Sequence, residues 1–165
     1  MGARFWKRVT GLAWLQANRL RWHVFTPAVL AQIAERIRHG EADHGAEVVL
    51  AVEPVAPGHE RHPRQRALEV FGRLQVWDTP ENTGVLLYLA LDRGALEIIA
   101  DRGIAATDQQ WLAVCQRLQQ KLHAGEYLPG LLAAIDDMHA ILRDTCPPGR
   151  SARDENVLPD EPVML

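Results

Sequence analysis

The stretch from Asn82 to Ile104 constrains the fold of this chain most, because it contains an apolar segment, a glycine turn and a second, alternating segment. The first segment, 85–91, has seven residues without a charge. That length is short for a helix and is typical of a strand that is covered on both faces. Gly94 follows in the sequence Asp-Arg-Gly and is free to take the positive φ of a tight turn. The stretch therefore predicts a β-hairpin whose first strand lies inside a sheet.

The second segment of the hairpin, from Leu96 to Asp101, alternates apolar residues with Glu97 and Asp101 on one side. This alternation predicts a strand that is less buried than the first and lies nearer the edge of the sheet. Two antiparallel strands alone are marginally stable in water. The hairpin therefore requires further strands and helices from the rest of the chain.

The remaining sequence predicts one more strand and four helices. Residues 47–53 (EVVLAVE) form an apolar run that ends before Pro54, as expected for a strand. Apolar residues at helical spacing, with capping residues at the ends, predict helices at about 27–39, 63–74, 107–124 and 129–143. A strand that is apolar on both faces needs helices on both sides. The sequence therefore predicts an α/β fold: a three-layer α/β/α sandwich with a small mixed sheet of three to four strands and helices on both faces.

Length and composition indicate a single domain with a short segment at each end. The chain has 165 residues, of which 47% are hydrophobic, enough for one core. We expect an N-terminal segment at 1–25, the domain at 26–148, and a polar, aperiodic and disordered tail at 149–165. The formal net charge of -3 argues against a nucleic-acid partner. The two cysteines have no metal-binding spacing and indicate a reducing compartment.

The N-terminal segment is basic and rich in tryptophan, with no acidic residue before Glu35. Three interpretations of this segment are open. It is a helix docked on its own domain, a site that docks on an anionic membrane surface or a partner, or a targeting segment. Its arginines interrupt the apolar run, which favours a cytoplasmic protein, free or peripheral at the inner membrane, without a signal peptide or transmembrane helix. The candidate docking residues are Arg4, Trp6, Lys7, Arg8, Trp14, Arg19, Arg21 and Trp22.

Acidic and amide side chains flank the predicted hairpin at one end of the sheet. The loop Asp78–Asn82 precedes the central strand, and Asp101 follows the antiparallel partner strand, so both belong to the same end. Their oxygen atoms are the type of ligand that calcium and magnesium require. The candidate metal ligands are Asp78, Glu81, Asn82 and Asp101. Ordinary turn chemistry, in which these side chains accept backbone hydrogen bonds, is the alternative.

The last predicted helix carries Asp136, Asp137 and His139. Asp136 and His139 are three residues apart and share a face of the helix. Polar residues at this spacing indicate a solvated face, with metal binding as the alternative.

The order of these elements and three short motifs resemble the TPM domain family, which includes the YgcG-like and thylakoid-lumen proteins. The resemblance covers about residues 27–148. Its most specific motifs are Asn82-x-Gly84-Val85-Leu86 before the central strand, Asp101-x-Gly103-Ile104 after the hairpin, and Gly125-Glu126-Tyr127 with Gly130-Leu131 at the start of the last helix.

The resemblance implies a compact α/β/α domain and, for some members, divalent-metal binding with weak acid phosphatase activity. It also implies an association with a membrane or with a membrane protein of the LemA type. The sequence has no P-loop, no Cys-x5-Arg and no Asp-x-Asp motif, so no catalytic residues are assigned. We therefore expect a non-catalytic interaction or scaffolding module, with a weak, calcium- or magnesium-dependent acid phosphatase as the alternative.

Overall fold

The structure is a computed structural model that describes residues 19–60, 62–148 and 158–165. Residues 19–23 are helical and precede the first helix whose two ends are both described. The elements follow in the order α1 (Pro27–Glu41), β1 (Glu47–Glu53), α2 (Pro63–Arg73), β2 (Gly84–Ala90), β3 (Ala95–Ala100), α3 (Asp108–His123), α4 (Tyr127–Thr145) and β4 (Val163–Met164).

The strands form a four-stranded mixed sheet in the order β3-β2-β1-β4. β1 and β2 are parallel, with Leu50 opposite Leu87, and the helix α2 connects them. β2 and β3 form the antiparallel hairpin predicted from the sequence, with Gly94 at a φ of 56° in its turn. β3 lies at the edge of the sheet, as its alternating pattern predicts.

Alternate residues of the two central strands point to two different cores. Val48, Leu50 and the residues in phase with them pack against α1, α3 and α4 on one face. Val49 and Ala51 point the other way and pack against α2. All seven residues of β2 are buried because helices cover both faces, which explains why that strand contains no charge. The structure thus confirms the predicted three-layer α/β/α sandwich.

Local signals define the helix ends. Thr26 caps α1 through its hydroxyl, which accepts the Val29 N–H, and Pro27 follows at the first helical position. Thr107 and Gln110 form a complete capping box at the start of α3. Gly125 follows α3 with a φ of 78°, the conformation that favours glycine after a helix. No helix of the described residues has the length and apolar character needed to cross a membrane.

The prediction of a disordered C-terminal tail is wrong for the last eight residues. Residues 158–165, which we call the C-terminal strap, lie along the outer edge of β1. Within the strap, β4 pairs in parallel with Ala51 and Val52, and Leu158 is buried in the second core. The strap has too few residues for a periodic pattern, and its order comes from pairing with a distant strand. Residues 149–157 lie outside the described part of the chain.

Candidate functional site

Two segments meet at the amino-terminal end of β2: the loop 78–83 and the residues that follow β3. A hydrogen bond within the loop holds its ends together: the Thr79 hydroxyl accepts from the Thr83 N–H over 2.8 Å. Asn82 takes a φ of 56°, a conformation that asparagine tolerates better than most residues. The N–H of Gly103 then donates to the Asn82 carbonyl over 2.8 Å. The sequence predicted that Asn82 and the exit of β3 lie at the same end of the sheet, where the structure places both.

Gly103 permits this contact. A Cβ at position 103 would lie 2.2 Å from the carbonyl oxygen of Glu81 and 2.6 Å from that of Asn82. Both distances are shorter than real contacts, so any other residue would push the two segments apart. The glycine of the Asp-x-Gly motif therefore places two backbone carbonyls beside the residues that follow β3.

Asp101 has a carboxylate that is only partly satisfied. Its Oδ1 accepts the Arg102 N–H over 2.7 Å, while its Oδ2 is buried and has no hydrogen-bond partner. The Asn82 side-chain oxygen accepts from the Arg102 guanidinium over 3.4 Å. An unpaired buried carboxylate oxygen is unfavourable unless a cation or water binds it.

The four candidate metal ligands are therefore placed differently. Asn82 and Asp101 are half-buried on adjoining segments, whereas Asp78 and Glu81 are exposed on the loop. Among the described residues, no three histidine, cysteine or acidic side chains are grouped closely enough to hold a metal ion. A cation at this end would therefore depend on the Asp101 carboxylate, the Asn82 amide and backbone carbonyls.

Only some of the candidate N-terminal docking residues lie in the described part of the chain. Arg4, Trp6, Lys7, Arg8 and Trp14 lie outside the described residues, while Arg19, Arg21 and Trp22 lie in the helical turn that follows.

This turn leads into the core but leaves its tryptophan in solvent. Phe25 is buried in the first core, whereas Trp22 is 73% exposed. The Arg21 guanidinium lies 5.5 Å from the centre of the Trp22 ring, in cation–π contact.

A buried polar cluster at the opposite end of the sheet was not predicted from the sequence. Glu53, the last residue of β1, is 4% exposed and accepts two hydrogen bonds from the guanidinium of Arg66 in α2, over 2.6 and 3.0 Å. The Tyr88 hydroxyl of β2 donates to the same carboxylate. The third guanidinium nitrogen of Arg66, Nη1, pairs with Glu69. The cluster therefore joins α2 to both central strands.

The charges of this cluster stabilise one another. Burial alone would raise the pKa of Glu53, but hydrogen bonds from Arg66 and Tyr88 outweigh it and hold that pKa below its ordinary value. The bond to Glu53 raises the pKa of Arg66. Because both carboxylate oxygens of Glu53 accept hydrogen bonds from α2 or β2, the cluster fixes α2 on the sheet.

A second unpredicted feature is a buried pair of histidines where the loop after α1 meets α4. His139 is 2% exposed and its Nδ1 lies 2.7 Å from Nε2 of His44. The solvated position predicted for His139 is therefore wrong. Asp136 and Asp137, on the same helix, do face solvent and pair with Arg36 and Arg117.

The hydrogen bonds fix which nitrogens carry protons. The Ala46 N–H donates to Nδ1 of His44, so the proton of that ring is on Nε2 and is donated to His139. The proton of His139 is then on its own Nε2, which is buried and makes no hydrogen bond of good geometry, although the backbone of Arg36 interacts with the ring. Burial lowers the pKa of both histidines to about 4. Both rings are therefore neutral at physiological pH.

Comparisons with known proteins agree with this architecture. No curated protein matches the chain. Among solved structures, the chain is similar to the BA42 protein of the psychrophilic bacterium Bizionia argentinensis, with a TM-score of 0.74, 25% identity, and coverage of 85% of this chain and 94% of that one. The N-terminal domain of the cg2496 protein from Corynebacterium glutamicum shares the fold, with a TM-score of 0.54, 13% identity, and coverage of 79% of this chain and 81% of that one.

The family model of the TPM domain matches residues 21–141. This range includes α1 to α3, the three longer strands and most of α4. The chain therefore belongs to the TPM domain family.

Proposed function

We propose that this protein is an interaction module that docks at a membrane surface, or on a membrane protein there, through its basic and aromatic N-terminal segment. The observation that carries the proposal is Trp22, which is 73% exposed and lies in cation–π contact with Arg21. Tryptophan is favoured at the interface between lipid headgroups and water, where its ring is apolar and its N–H remains hydrated. Each arginine near an anionic surface adds about 1 kcal/mol of attraction.

The geometry at 19–25 supports docking without unfolding of the domain. Phe25 anchors the turn in the first core, while Arg19 and Trp22 remain exposed. The segment thus offers a cation and an indole ring on a fixed support. The pairing of positive charge with an exposed tryptophan distinguishes it from isolated exposed apolar residues, which are common on protein surfaces.

Flotation of the full-length chain with vesicles tests this proposal. We expect binding to vesicles that contain phosphatidylglycerol and several-fold weaker binding to vesicles of phosphatidylcholine alone. Trp22→Ala and Arg21→Glu should each reduce the bound fraction several-fold, because they remove the interfacial ring and the attraction to anionic lipid.

The matched control is Trp77→Ala. Trp77 is 48% exposed but lies in the loop after α2, outside the N-terminal segment. Its replacement should leave flotation unchanged. Equal flotation of Trp22→Ala and the unsubstituted chain would contradict a docking role for this segment.

A second candidate function is binding of calcium or magnesium at the end of the hairpin, as the basis of a weak acid phosphatase activity. The observation that favours it is the buried, unpaired Oδ2 of Asp101, two residues before Gly103, where the chain packs against the carbonyls of Glu81 and Asn82. These are hard oxygen donors, which such cations prefer. A bound cation would supply positive charge for a phosphate group.

Calorimetric titration with calcium and with magnesium tests this second candidate. We expect heat of binding at millimolar metal in the unsubstituted chain and none in Asp101→Ala. Asp108→Ala, which removes an exposed acid at the start of α3, is the control and should bind as before. Absence of heat in the unsubstituted chain would end the cation proposal, and with it the metal-dependent phosphatase.

A further inference from the structure

The outer edge of β1 is covered by a segment that lies outside the family domain. The family model ends at residue 141, whereas the C-terminal strap begins at Leu158. Without the strap, β1 would be the edge strand on this side of the sheet. β1 is apolar from Val48 to Val52, and an uncovered edge of this kind pairs readily with other extended segments. The domain therefore presents a strand edge that an extended segment can occupy.

Apolar side chains of the strap enter both cores of the domain. Leu158 is 8% exposed and belongs to the second core, where Val163 and Leu165 also pack. Met164 points the other way and packs against the first core. This alternation is that of a strand in a sheet that is covered on both faces. Burial of apolar surface therefore attracts the strap to the edge of β1.

Hydrogen bonds at both ends of the strap fix its direction. At its start, the Leu158 N–H donates to the Glu47 carboxylate over 2.6 Å. At its end, the Leu165 N–H donates to the Val52 carbonyl over 2.9 Å. Between these contacts, β4 runs parallel to β1. The strap therefore binds as an added strand, in which backbone bonds align the segment and alternate side chains select it.

Side chains of α1 limit the part of the edge that is available. The Glu41 carboxylate accepts the Val48 N–H over 2.6 Å, so that backbone group is not available to an added strand. Further along α1, the Arg38 guanidinium donates to Asp160 of the strap over 3.2 Å. The strap-facing surface, which we call the β1 edge site, includes Arg38, Glu47, Ala51 and Val52.

Two prolines prepare the strap for binding in an extended form. Pro159 and Pro162 enclose its two acidic residues, and Pro162 is buried. Proline fixes φ at a value compatible with an extended chain, so the segment loses less conformational freedom when it docks. All the strap groups that make the contacts above lie within residues 158–165. A separate peptide of this sequence therefore carries every group that the edge contacts.

We propose that the β1 edge site is a peptide-binding site and that the strap is its built-in ligand. The site takes an extended segment, parallel to β1, with the pattern of the strap: a leucine, two prolines that enclose acidic residues, and then three apolar residues. A segment of a partner protein with this pattern binds by displacing the strap. Because the strap is attached to the domain, its local concentration at the site exceeds that of a dilute competitor. The strap therefore sets the concentration below which partner segments do not bind.

NMR of a full-length variant whose own strap does not dock tests the proposal. Leu158→Asp together with Val163→Asp places carboxylates where the strap enters the second core, and unpaired buried charges are costly. We expect the amide signals of Ala51 and Val52 to move in this variant while that of Leu87, in the central strand, stays in place. A synthetic peptide with the strap sequence should return both signals to their positions in the unsubstituted chain. No return at millimolar peptide overturns the proposal, and so does pairing of the variant with itself in place of the peptide.

Altered peptides show what the site recognises. The same two substitutions in the peptide, Leu158→Asp and Val163→Asp, should weaken binding at least about tenfold because they remove apolar burial. Pro162→Gly should weaken it several-fold, since the free peptide becomes more flexible. Glu161→Gln is the matched control: Glu161 is exposed, and this peptide should bind as the unaltered one does. Equal binding of all these peptides overturns the proposal.

A measurement that keeps the native strap makes the test independent of how the double variant folds. A protease recognition sequence introduced between Pro148 and Leu158 allows the strap to be cut from the folded chain. After cleavage, a fluorescent copy of the strap peptide should exchange into the site with a rise in fluorescence anisotropy, and excess unlabelled peptide should reverse the rise. Absence of exchange overturns the proposal, whether the cut strap stays in place or the domain unfolds without it.

Discussion

Gly40 is a residue at which α1 and α4 pack closely. A Cβ at this position would lie 2.1 Å from Cδ2 of His139 and 2.3 Å from its Nε2, far closer than van der Waals contact allows. That ring is held by its hydrogen bond to His44, so it has little room to move. We expect Gly40→Ala to lower the free energy of unfolding by about 1–3 kcal/mol because of overpacking, as measured by urea denaturation.

Gly72, near the end of α2, is a control for the helix propensity of alanine. Nothing lies within 4 Å of a Cβ at this position. Gly72→Ala should therefore stabilise the protein by about 0.5–1 kcal/mol, since alanine is the better helix residue. Equal effects of the two substitutions would show that His139 does not occupy the space beside Gly40.

Arg66 is the residue whose loss should harm the opposite end of the sheet most. Its removal leaves the Glu53 carboxylate buried without its cation, and uncompensated buried charges are strongly destabilising. We expect Arg66→Met to cost about 3–5 kcal/mol in urea denaturation.

Arg64→Met provides the comparison on the same helix. Arg64 is exposed and its nearest contact with Glu97 is 3.6 Å, so its loss should cost less than about 1 kcal/mol. If the two arginine variants were equally stable, the cluster around Glu53 would not hold α2 on the sheet.

The sequence predicted some of these residue positions and missed others. His139 occurs in the same helical stripe as Ile135 and Leu142, which is the signal of burial, yet its polarity favoured solvent. Its partner, His44, is 95 residues away in the chain, so no local pattern relates the two. At the candidate cation site, the strand directions predicted that Asn82 and Asp101 lie at the same end of the sheet. The exposure of Asp78 depends on the shape of the loop, which the sequence pattern does not determine.

Among the elements, α3 has the clearest start signal, and its capping box was predicted from four consecutive residues. The Thr107 hydroxyl accepts the Gln110 N–H, and the Gln110 side chain accepts the Thr107 N–H. We expect Thr107→Ala to lower the free energy of unfolding by about 1 kcal/mol because it leaves a helix N–H unpaired. Urea denaturation at constant pH measures this loss, and an unchanged midpoint would show that the capping box does not contribute to stability.

Among the strands, β2 was predicted from the sequence and β4 was not. β2 carries seven apolar residues because it is covered on both faces, so its sequence alone indicates its position. β4 has two residues, and it is a strand because β1 presents a free edge beside it. Elements stabilised by local sequence are predictable, whereas those stabilised by a distant partner are not.

For the whole molecule, the buried histidines and Glu41 predict opposite effects of pH on the free energy of unfolding. The histidines determine its acid limb and Glu41 its alkaline limb. His44 and His139 have a pKa of about 4 in the folded protein and an ordinary value of 6.5, so the unfolded chain binds more protons below pH 6.5. Stability due to the pair is complete above pH 6.5 and is lost as pH falls towards 4. Glu41, with its pKa raised from 4.5 to about 8, has the opposite sign: its contribution falls as pH rises through that interval.

These two effects together place maximum stability near pH 6.5. Between pH 6.5 and 4.5 the two histidine protons outweigh the one proton of Glu41, so the free energy of unfolding should fall by at most about 1.4 kcal/mol per pH unit. Between pH 6.5 and 8 it should fall at a similar rate because of Glu41 alone. Urea denaturation across this range measures both limbs. Glu41→Gln should flatten the alkaline limb and steepen the acid limb, since the opposing titration of Glu41 is then removed. A profile that is flat from pH 6.5 to 5 in that variant would mean that the histidine pair is not buried in its neutral form.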